Sequence, residues 1–259
     1  MKSFQKIVRH ILILSLLSAC SSDNDALSDI PVPQGGPITE NPDNTGEPGD
    51  PDSDSPNPIY LDANGVTIKA HEWAEVGQQG IIDGKTYTIV GNGAIQEMLG
   101  WGGIPEGICT SRVTDMSRLF TNMDFNEDIS SWDVSNVTDM SSMFARSTFN
   151  QPLYHWDVSS VIKMPSMFAR TSFNQPLDSW DIGNVLYTSY MFYKSDFNQD
   201  IRSWDVSSVT DMSLMFAGSQ FNQDLSNWDL SGVLICKSFA DDTPQWTLPK
   251  PEFAHCDIN

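Results

Sequence analysis

The stretch FNQDIRSWDVSSVTDMSLMFAGSQ, residues 197–220, decides the fold because its pattern recurs along the chain with a 24-residue period. In each copy a Trp is followed by an Asp and a branched aliphatic residue, and a Phe-Asn pair, a Val and a second Phe recur at the same spacing. The repeated Trp are Trp132, Trp156, Trp180, Trp204 and Trp228. The Asp that follow them are Asp133, Asp157, Asp181, Asp205 and Asp229. Repetition of this kind is typical of proteins built from stacked units.

Two periodicities meet within one unit. The order Trp-x-Val alternates as in a short strand, which would place Trp and Val on one face and Asp on the other. Val137, Met140 and Met143 follow the spacing of one or two helical turns. Because so short a unit cannot bury its apolar face alone, it must stack on its neighbours. The sequence therefore predicts a repeat solenoid, with short parallel strands on one side and short helical turns on the other.

The repeat also predicts columns of side chains. Each Trp is expected to lie inside, on the Trp of the next unit, as the ladder of the core. A column of Asn, expected to bond the backbone of adjacent units, comprises Asn126, Asn150, Asn174, Asn198 and Asn222. The five Asp are expected to point outward, about 5 Å apart. Two interpretations stay open for them: hydrogen bonding to Ser hydroxyls or backbone N–H groups of the neighbouring unit, or an acidic binding face for a cationic partner or divalent ions.

The unit can be written FNQDISxWDVSxVTDMSxMF, and it resembles the repeat of BspA-like leucine-rich-repeat surface lipoproteins. The resemblance covers about residues 109–240. It implies a leucine-rich-repeat-like right-handed coil on the bacterial surface, and in some relatives adhesion or protein binding. It implies a class of function and not a ligand.

Departures from the unit indicate where the stack ends. In the third unit Gly183, Tyr187 and Thr188 replace the usual Ser, Asp and Met. In the last unit Cys236 takes a Met position, as expected near a terminal cap. Residues 241–259 are predicted to be that C-terminal cap.

A small β-rich cap is predicted before the repeats, over residues 59–108. The runs 60–70 and 80–91 alternate apolar and polar residues around Asn-Gly and Asp-Gly turn signals, which indicates two β-hairpins. The segment GAIQEML, residues 93–99, suggests a short helix.

The N-terminus has the form of an export signal. Three basic residues precede the apolar run 11–17, which is too short to span a bilayer. The sequence Leu-Ser-Ala-Cys that ends at Cys20 resembles the lipobox of bacterial lipoproteins, which implies a signal peptide over residues 1–19 and acylation of Cys20. The chain is therefore expected to be lipid-anchored in the cell envelope, on the outer membrane and exposed at the cell surface.

The segment from residue 20 to residue 58 is predicted to be a disordered tether. Residues 21–58 hold nine acidic and no basic residues, and eight of the fifteen prolines. Such a segment cannot form a core and stays extended, so it would hold the folded part away from the membrane.

Three cysteines remain once Cys20 is assigned to the lipid. Cys109 and Cys236 lie five units apart, more than about 20 Å, whereas a disulfide needs Cα atoms within about 7 Å. Cys236 and Cys256 are therefore the candidate disulfide, and Cys109 is expected to be a buried free thiol.

Charge and motif content limit the functional classes. With 34 acidic and 14 basic residues the net charge is -20, which argues against nucleic acid as a partner. The three His beyond the signal peptide are scattered, and the motifs of common hydrolases and of phosphate-binding loops are absent from the sequence. We therefore predict a protein that is not an enzyme and holds no cofactor.

The combined features predict a surface-anchored module that binds or adheres to a protein on host or neighbouring cells. One alternative is a passive spacer of the envelope. Another is a carbohydrate-binding surface protein, although the Trp that could stack on sugars are expected inside the core.

Overall fold

The computed structural model describes residues 55–100 and 106–254, which lie within one compact unit, Ser53–Asn259. The predicted signal peptide, Cys20, nearly all of the predicted tether and Cys256 lie outside the described residues. Within the described part of the chain, no helix is long and apolar enough to cross a membrane.

The described chain begins with a two-stranded hairpin. Strand β1, Ile59–Leu61, pairs antiparallel with β2, Ile68–Ala70, with Ile59 opposite Ala70. The side-chain oxygen of Asn64 accepts the backbone N–H groups of Val66 and Thr67 at 2.9 Å, which closes the turn. The first predicted hairpin is therefore confirmed.

A second hairpin follows. Strand β3, Gln79–Ile82, pairs antiparallel with β4, Lys85–Gly91, in a register that places Ile82 opposite Lys85. The two residues of the turn, Asp83 and Gly84, both have positive φ, 51° and 72°, as the tightest hairpin turns require. The Asp-Gly signal in the sequence thus predicted this turn correctly.

A helix and a parallel strand connect the hairpins to the repeats. Helix α1, Asn92–Gly100, contains the predicted helical segment. Strand β5, Ile108–Arg112, pairs parallel with β4 and completes a three-stranded sheet in the order β3-β4-β5. Strand β2 meets the first full repeat through a parallel bridge between Ile68 and Trp132.

Beyond β5, successive repeats are joined by single parallel bridges between equivalent residues. The bridged residues are Asp115, Asp139, Lys163, Tyr187, Asp211 and Ile235. They follow the repeated Val and not the Trp, so the strand predicted at Trp-x-Val is misplaced. The reason is local. The backbone N–H of Trp156 donates to the Leu153 carbonyl and that of Val161 donates to the Val158 carbonyl, so the Trp-x-Val segment lies between two tight turns.

The predicted helical turns take another backbone form. Met140 and Phe144 donate their N–H groups to the carbonyls of Lys163 and Met167 in the next repeat, at 2.8 and 3.0 Å, whereas Met143 bonds back within its own repeat to Met140. Left-handed residues recur in this segment, for example at Ser142 with φ 57°. Because left-handed residues cannot continue an α-helix, this segment is a series of turns.

Two columns of stacked Phe fill the core. The first has ring centroids 5.5 to 5.9 Å apart and the second 6.0 to 6.3 Å apart. The first column is Phe120, Phe144, Phe168, Phe192 and Phe216. The second is Phe125, Phe149, Phe173, Phe197 and Phe221. All are fully buried except Phe125, which is partly exposed.

The five repeated Trp are buried, as predicted, with 3 to 6% of each exposed. Their ring contacts in the described chain are with Phe twelve residues earlier, as for Phe144 and Trp156 at 6.3 Å, and not with each other. The expected stack of indoles is therefore wrong, and the stacked rings are those of Phe. A buried indole N–H needs an acceptor, and that of Trp156 donates to the Ile129 carbonyl of the preceding repeat.

Candidate functional site

The five Asp after the Trp, the Asp column, line the outside of the repeats with one exception. Asp133 is buried beside the N-terminal segment, and the other four are exposed. Each Oδ1 accepts the backbone N–H of the residue two positions later, at 3.0 to 3.1 Å. At Asp157 and Asp205 the hydroxyl of that residue, Ser159 or Ser207, donates to the same oxygen at 2.6 or 2.7 Å.

These bonds correct the structural interpretation of the Asp column. The donors lie in the same repeat as the carboxylate, whereas the sequence predicted donors from the neighbouring one. The predicted kind of donor is found at Asp133, whose Oδ2 accepts from the hydroxyl of Ser111 in the preceding unit. Asp and Ser two positions apart form a local turn, which explains why this residue pair recurs without a ligand.

For two members of the column, the same hydrogen bonds favour the ionised carboxylate. The hydroxyl and N–H of Ser207 lower the pKa of Asp205 below its ordinary value, and the N–H and hydroxyl of Ser231 do the same for the pKa of Asp229. In each of the four exposed members, one carboxyl oxygen already accepts a hydrogen bond. Across the part of the chain that the structure describes, no three His, Cys, Asp or Glu side chains are grouped so that they could hold a metal ion.

An open cavity of about 360 Å³ lies where β2 and β5 meet the first repeat, lined by Tyr60, Lys69, Arg112 and Asp133 among others. Three of its charged groups already have partners. Lys69 forms an ion pair with Asp62 at 3.1 Å, and the Arg112 guanidinium donates to three backbone carbonyls. Asp133 accepts from Ser and backbone groups as described above. Lys69, Arg112 and Asp133 are therefore held by contacts within the protein.

The cysteines divide as predicted where the structure describes them. Cys109 is a buried free thiol, and its burial raises the pKa of the thiol. Cys236 is buried and disulfide-bonded. Its predicted partner, Cys256, lies outside the described residues, so that pairing stays a prediction.

A surface that varies from repeat to repeat lies beside the parallel bridges. Each repeat carries two residues here directly after its buried Val, and we call these pairs the bridge face. The pairs are Thr114-Asp115, Thr138-Asp139, Ile162-Lys163, Leu186-Tyr187, Thr210-Asp211 and Leu234-Ile235. Several apolar members are well exposed, up to 72% for Leu234. In the sequence, Tyr187 stands out only as a departure from the usual Asp, and its exposure shows that this departure marks a distinct surface.

The stacked arrangement and its 24-residue period define a repeat protein. Residues 106–196 and 189–250 match the family described as Mycoplasma protein of unknown function, DUF285. Together these segments make up more than half of the chain, which therefore belongs to this family. No curated protein and no solved structure matches the chain.

Proposed function

We propose that the chain is a lipid-anchored surface protein of the bacterial envelope that binds a protein on host or neighbouring cells. We further propose that its repeats form a right-handed solenoid of the BspA-like, leucine-rich-repeat kind. The lipobox at Cys20 and the acidic segment up to residue 58 support the anchor and the tether. The parallel bridges and the inter-repeat hydrogen bonds of residues 113–254 support the solenoid.

One observation carries the binding role: two interior positions keep one residue type from repeat to repeat, whereas the two bridge-face positions do not. The buried Val before each bridge-face pair is Val in all six repeats, and the first Phe column is Phe in five. The two bridge-face positions, by contrast, hold polar, basic, aromatic and aliphatic residues. A passive spacer has no need for such variety, whereas a binding surface does.

The apolar members of the bridge face are placed to act together. Leu186 donates its N–H to Ile162 and accepts from Thr210, which in turn accepts from Leu234, each at 2.9 Å. These residues therefore lie one above another in a single column. Exposed apolar side chains that are grouped and rimmed by polar residues mark protein interaction sites.

The test is saturable binding of the labelled full chain, purified in detergent, to intact neighbouring or host cells. A matched variant converts the three divergent pairs to the Thr-Asp of the other repeats: I162T/K163D, L186T/Y187D and L234T/I235D. We expect the affinity to fall roughly tenfold, since a few interface residues carry most of the binding energy and a total loss of about 1.4 kcal/mol is a factor of ten.

The control neutralises the exposed Asp column through D157N, D181N, D205N and D229N. We expect this variant to bind as the wild type does. A loss in the control with no loss in the bridge-face variant would place a cationic partner on the Asp column. Absence of any saturable binding would favour the passive spacer.

Carbohydrate binding is a second candidate, favoured by the N-terminal segment. The Trp73 side chain is 49% exposed and stacks on His71 at 5.6 Å, and Tyr60 lies 4.7 Å from the same His. Exposed aromatic faces can stack on sugars. Trp fluorescence titration with neutral trisaccharides tests this, and a response that is lost in Trp73→Ala would support it.

A further inference from the structure

We infer that Arg146, Arg170 and Lys194, with Tyr190 and Tyr193, form a docking surface for an acidic helix of a partner protein. We call these five residues the basic-tyrosine patch. The inference deepens the proposed binding function and rests on it, because it names the class of partner that one surface of the repeats would take.

The three cations of the patch form a column. Arg146 donates its N–H to Ala169 at 2.9 Å, and Arg170 donates to Tyr193 at 2.7 Å, so each cation sits one repeat from the next. All three side chains are exposed. The spacing along such a column is about 4.8 Å.

No partner within the described chain neutralises this column. The ion pairs of the described residues involve four other cations, which are Lys69, Lys85, Lys163 and Arg202. Like charges that face each other on adjacent strands repel, and here three are stacked in a chain whose net charge is -20. An anionic partner would relieve that repulsion.

The backbone at these positions disfavours large side chains. Arg146, Arg170 and Lys194 have φ of 57°, 59° and 51°, in the left-handed region where a β-carbon is crowded. The three central repeats thus hold long basic side chains where the backbone favours residue types that enter this region readily. Residues of those types stand at the equivalent positions of the other repeats, which are Asn122, Gly218 and Asp242.

Tyr193 lies beside two of the three cations, and Tyr190 packs against Tyr193. Tyr193 occupies a position where adjacent repeats have buried Ala, and its ring centroid lies 5.3 Å from the Arg170 guanidinium and 5.3 Å from the Lys194 ammonium. Tyr190 meets the same ring edge-on at 5.5 Å and is itself 39% exposed. Cations fixed over a ring lose less freedom on binding, and Tyr and Arg are enriched at the centres of protein interfaces.

Gly218 makes room for this arrangement. A β-carbon at that position would lie 3.0 Å from the Cγ of Lys194, so the stem of Lys194 extends over the glycine of the next repeat. The cation column therefore ends at Lys194, because its side chain occupies the space that a side chain at position 218 would need.

The spacing of the column indicates what form of anion fits. A helix with one carboxylate per turn presents charges about 5.4 Å apart. When the first carboxylate is aligned with the first cation, the third carboxylate is therefore only about 1.2 Å out of register with the third cation. An extended peptide presents same-face carboxylates about 6.7 Å apart, so its third carboxylate would be about 4 Å out of register with the third cation. Nucleic acid is disfavoured by the overall negative charge, and both cations over Tyr193 leave its ring little face for a sugar.

The experiment uses the full chain and two capped, labelled Ala-based peptides of about 20 residues, long enough to be helical. One carries Glu at i, i+4 and i+7, on a single face; the other carries three Glu spread around the helix. Fluorescence anisotropy measures the affinities. We expect the single-face peptide to bind several-fold more tightly and its affinity to fall with added salt.

The patch variant is R146N/R170N/K194N, which uses the residue that the first repeat carries at this position. The control, R118S/R202S/K237S, removes the same charge at positions where other repeats have Ser. We expect roughly a tenfold loss in the patch variant and little change in the control, since each exposed ion pair contributes modestly.

Equal losses in the two variants, equal binding of the two peptides, or tighter binding of a single-stranded oligonucleotide than of the single-face peptide would each overturn the inference. Failure of the acidic-helix inference can be distinguished from failure of the proposed binding to cells. Cell binding that persists while the peptide fails removes the acidic helix alone. Peptide binding without any saturable cell binding removes the adhesive role alone.

Discussion

The Phe columns inside the repeats keep the same residue type every 24 residues, whereas the bridge face outside does not. Inside, Phe follows Phe through five repeats, and the ring separations stay within 5.5 to 5.9 Å in one column and 6.0 to 6.3 Å in the other. Outside, the bridge face changes from Thr-Asp to Leu-Tyr and Leu-Ile. The difference shows where stacking constrains the chain: a buried ring must match both neighbours, whereas an exposed residue need only suit the backbone.

The first prediction tests the inside against the outside by mutation. Phe168→Ala at the centre of the first Phe column should lower the free energy of unfolding by about 3–5 kcal/mol, because it leaves a cavity between two stacked rings. Tyr190→Ser, at an exposed position where other repeats carry Ser, should lower it by only about 1 kcal/mol, because it removes the edge-on contact with Tyr193. Urea denaturation followed by circular dichroism measures both. Similar losses in the two variants would mean that the inside and outside are not distinct.

The second prediction concerns the Asn column, which joins neighbouring repeats as expected. The Oδ1 of Asn174 accepts the N–H of Asn198 at 2.8 Å and the amide of Gln199 at 3.1 Å. Asn174→Ala should destabilise the protein by about 1–2 kcal/mol because it leaves the Asn198 N–H without an acceptor.

Asn184 provides the comparison for that change, since its exposed amide donates a single bond to the Ser159 carbonyl. Asn184→Ala should lower the stability by less than about 0.5 kcal/mol under the same denaturation conditions. If Asn184→Ala were the more damaging substitution, the Asn column would not be the link between repeats.

The third prediction concerns Cys109, which contacts the hairpin segment. Because burial raises the pKa of this thiol, the folded state favours its protonated form, and iodoacetamide should modify it far more slowly than it does in urea. By linkage, the stabilising preference for the protonated thiol is present below the thiol's unfolded pKa and is lost as the pH rises through the folded value. Peptide mapping after alkylation at neutral pH measures this, and rapid labelling of the native protein would contradict the buried position.

The smallest effect is expected outside, at Asp205. Its pKa is lowered in the folded state by Ser207, so its contribution to stability is present above the ordinary Asp value and is lost as the pH falls through the folded pKa. The difference in melting temperature between wild type and Asp205→Asn should therefore be small near neutral pH and shrink further on acidification. A difference that grows on acidification would show that the sign is wrong.

Much of the architecture could be predicted from the sequence because side-chain identity carried it. The Asn-Gly and Asp-Gly turns indicated both hairpins, and the periodic recurrence of Trp indicated buried, equivalent positions. The helical segment before the repeats was recognisable from its apolar spacing. In each case the deciding property was local or strictly periodic.

The rest of the fold could not be predicted, because it depends on backbone conformations that the residue types do not indicate. Left-handed residues such as Arg146 and Tyr190 are of types that usually avoid that region, so the spacing of Val and Met indicated a helix where a series of turns is present. Alternation at Trp-x-Val predicted a strand, but the hydrogen bonds of the flanking turns decide the backbone there. The larger area of Trp also suggested an indole stack, whereas the indole N–H needs an acceptor and Phe has no such need.

The candidate site was only partly accessible to sequence reasoning. The Asp column was found, but its local bonds to residues two positions later were not, because hydrogen bonding within a turn and across repeats leaves the same sequence pattern. The basic-tyrosine patch was missed because its members are spread over three repeats, from Arg146 to Lys194. Comparing each exposed position with its equivalents in the other repeats would have found it.

The central claim is that each period of the sequence forms one equivalent, stacked unit, and deletion tests it most directly. Removing residues 169–192 takes out one full period and joins Phe168 to Tyr193, as Phe192 is joined in the wild type. The shortened protein should retain a cooperative urea transition and its near-ultraviolet aromatic signal, while deletion of residues 169–180, half a period, should abolish both. Equal disruption by the two deletions, or equal tolerance of them, would contradict the account.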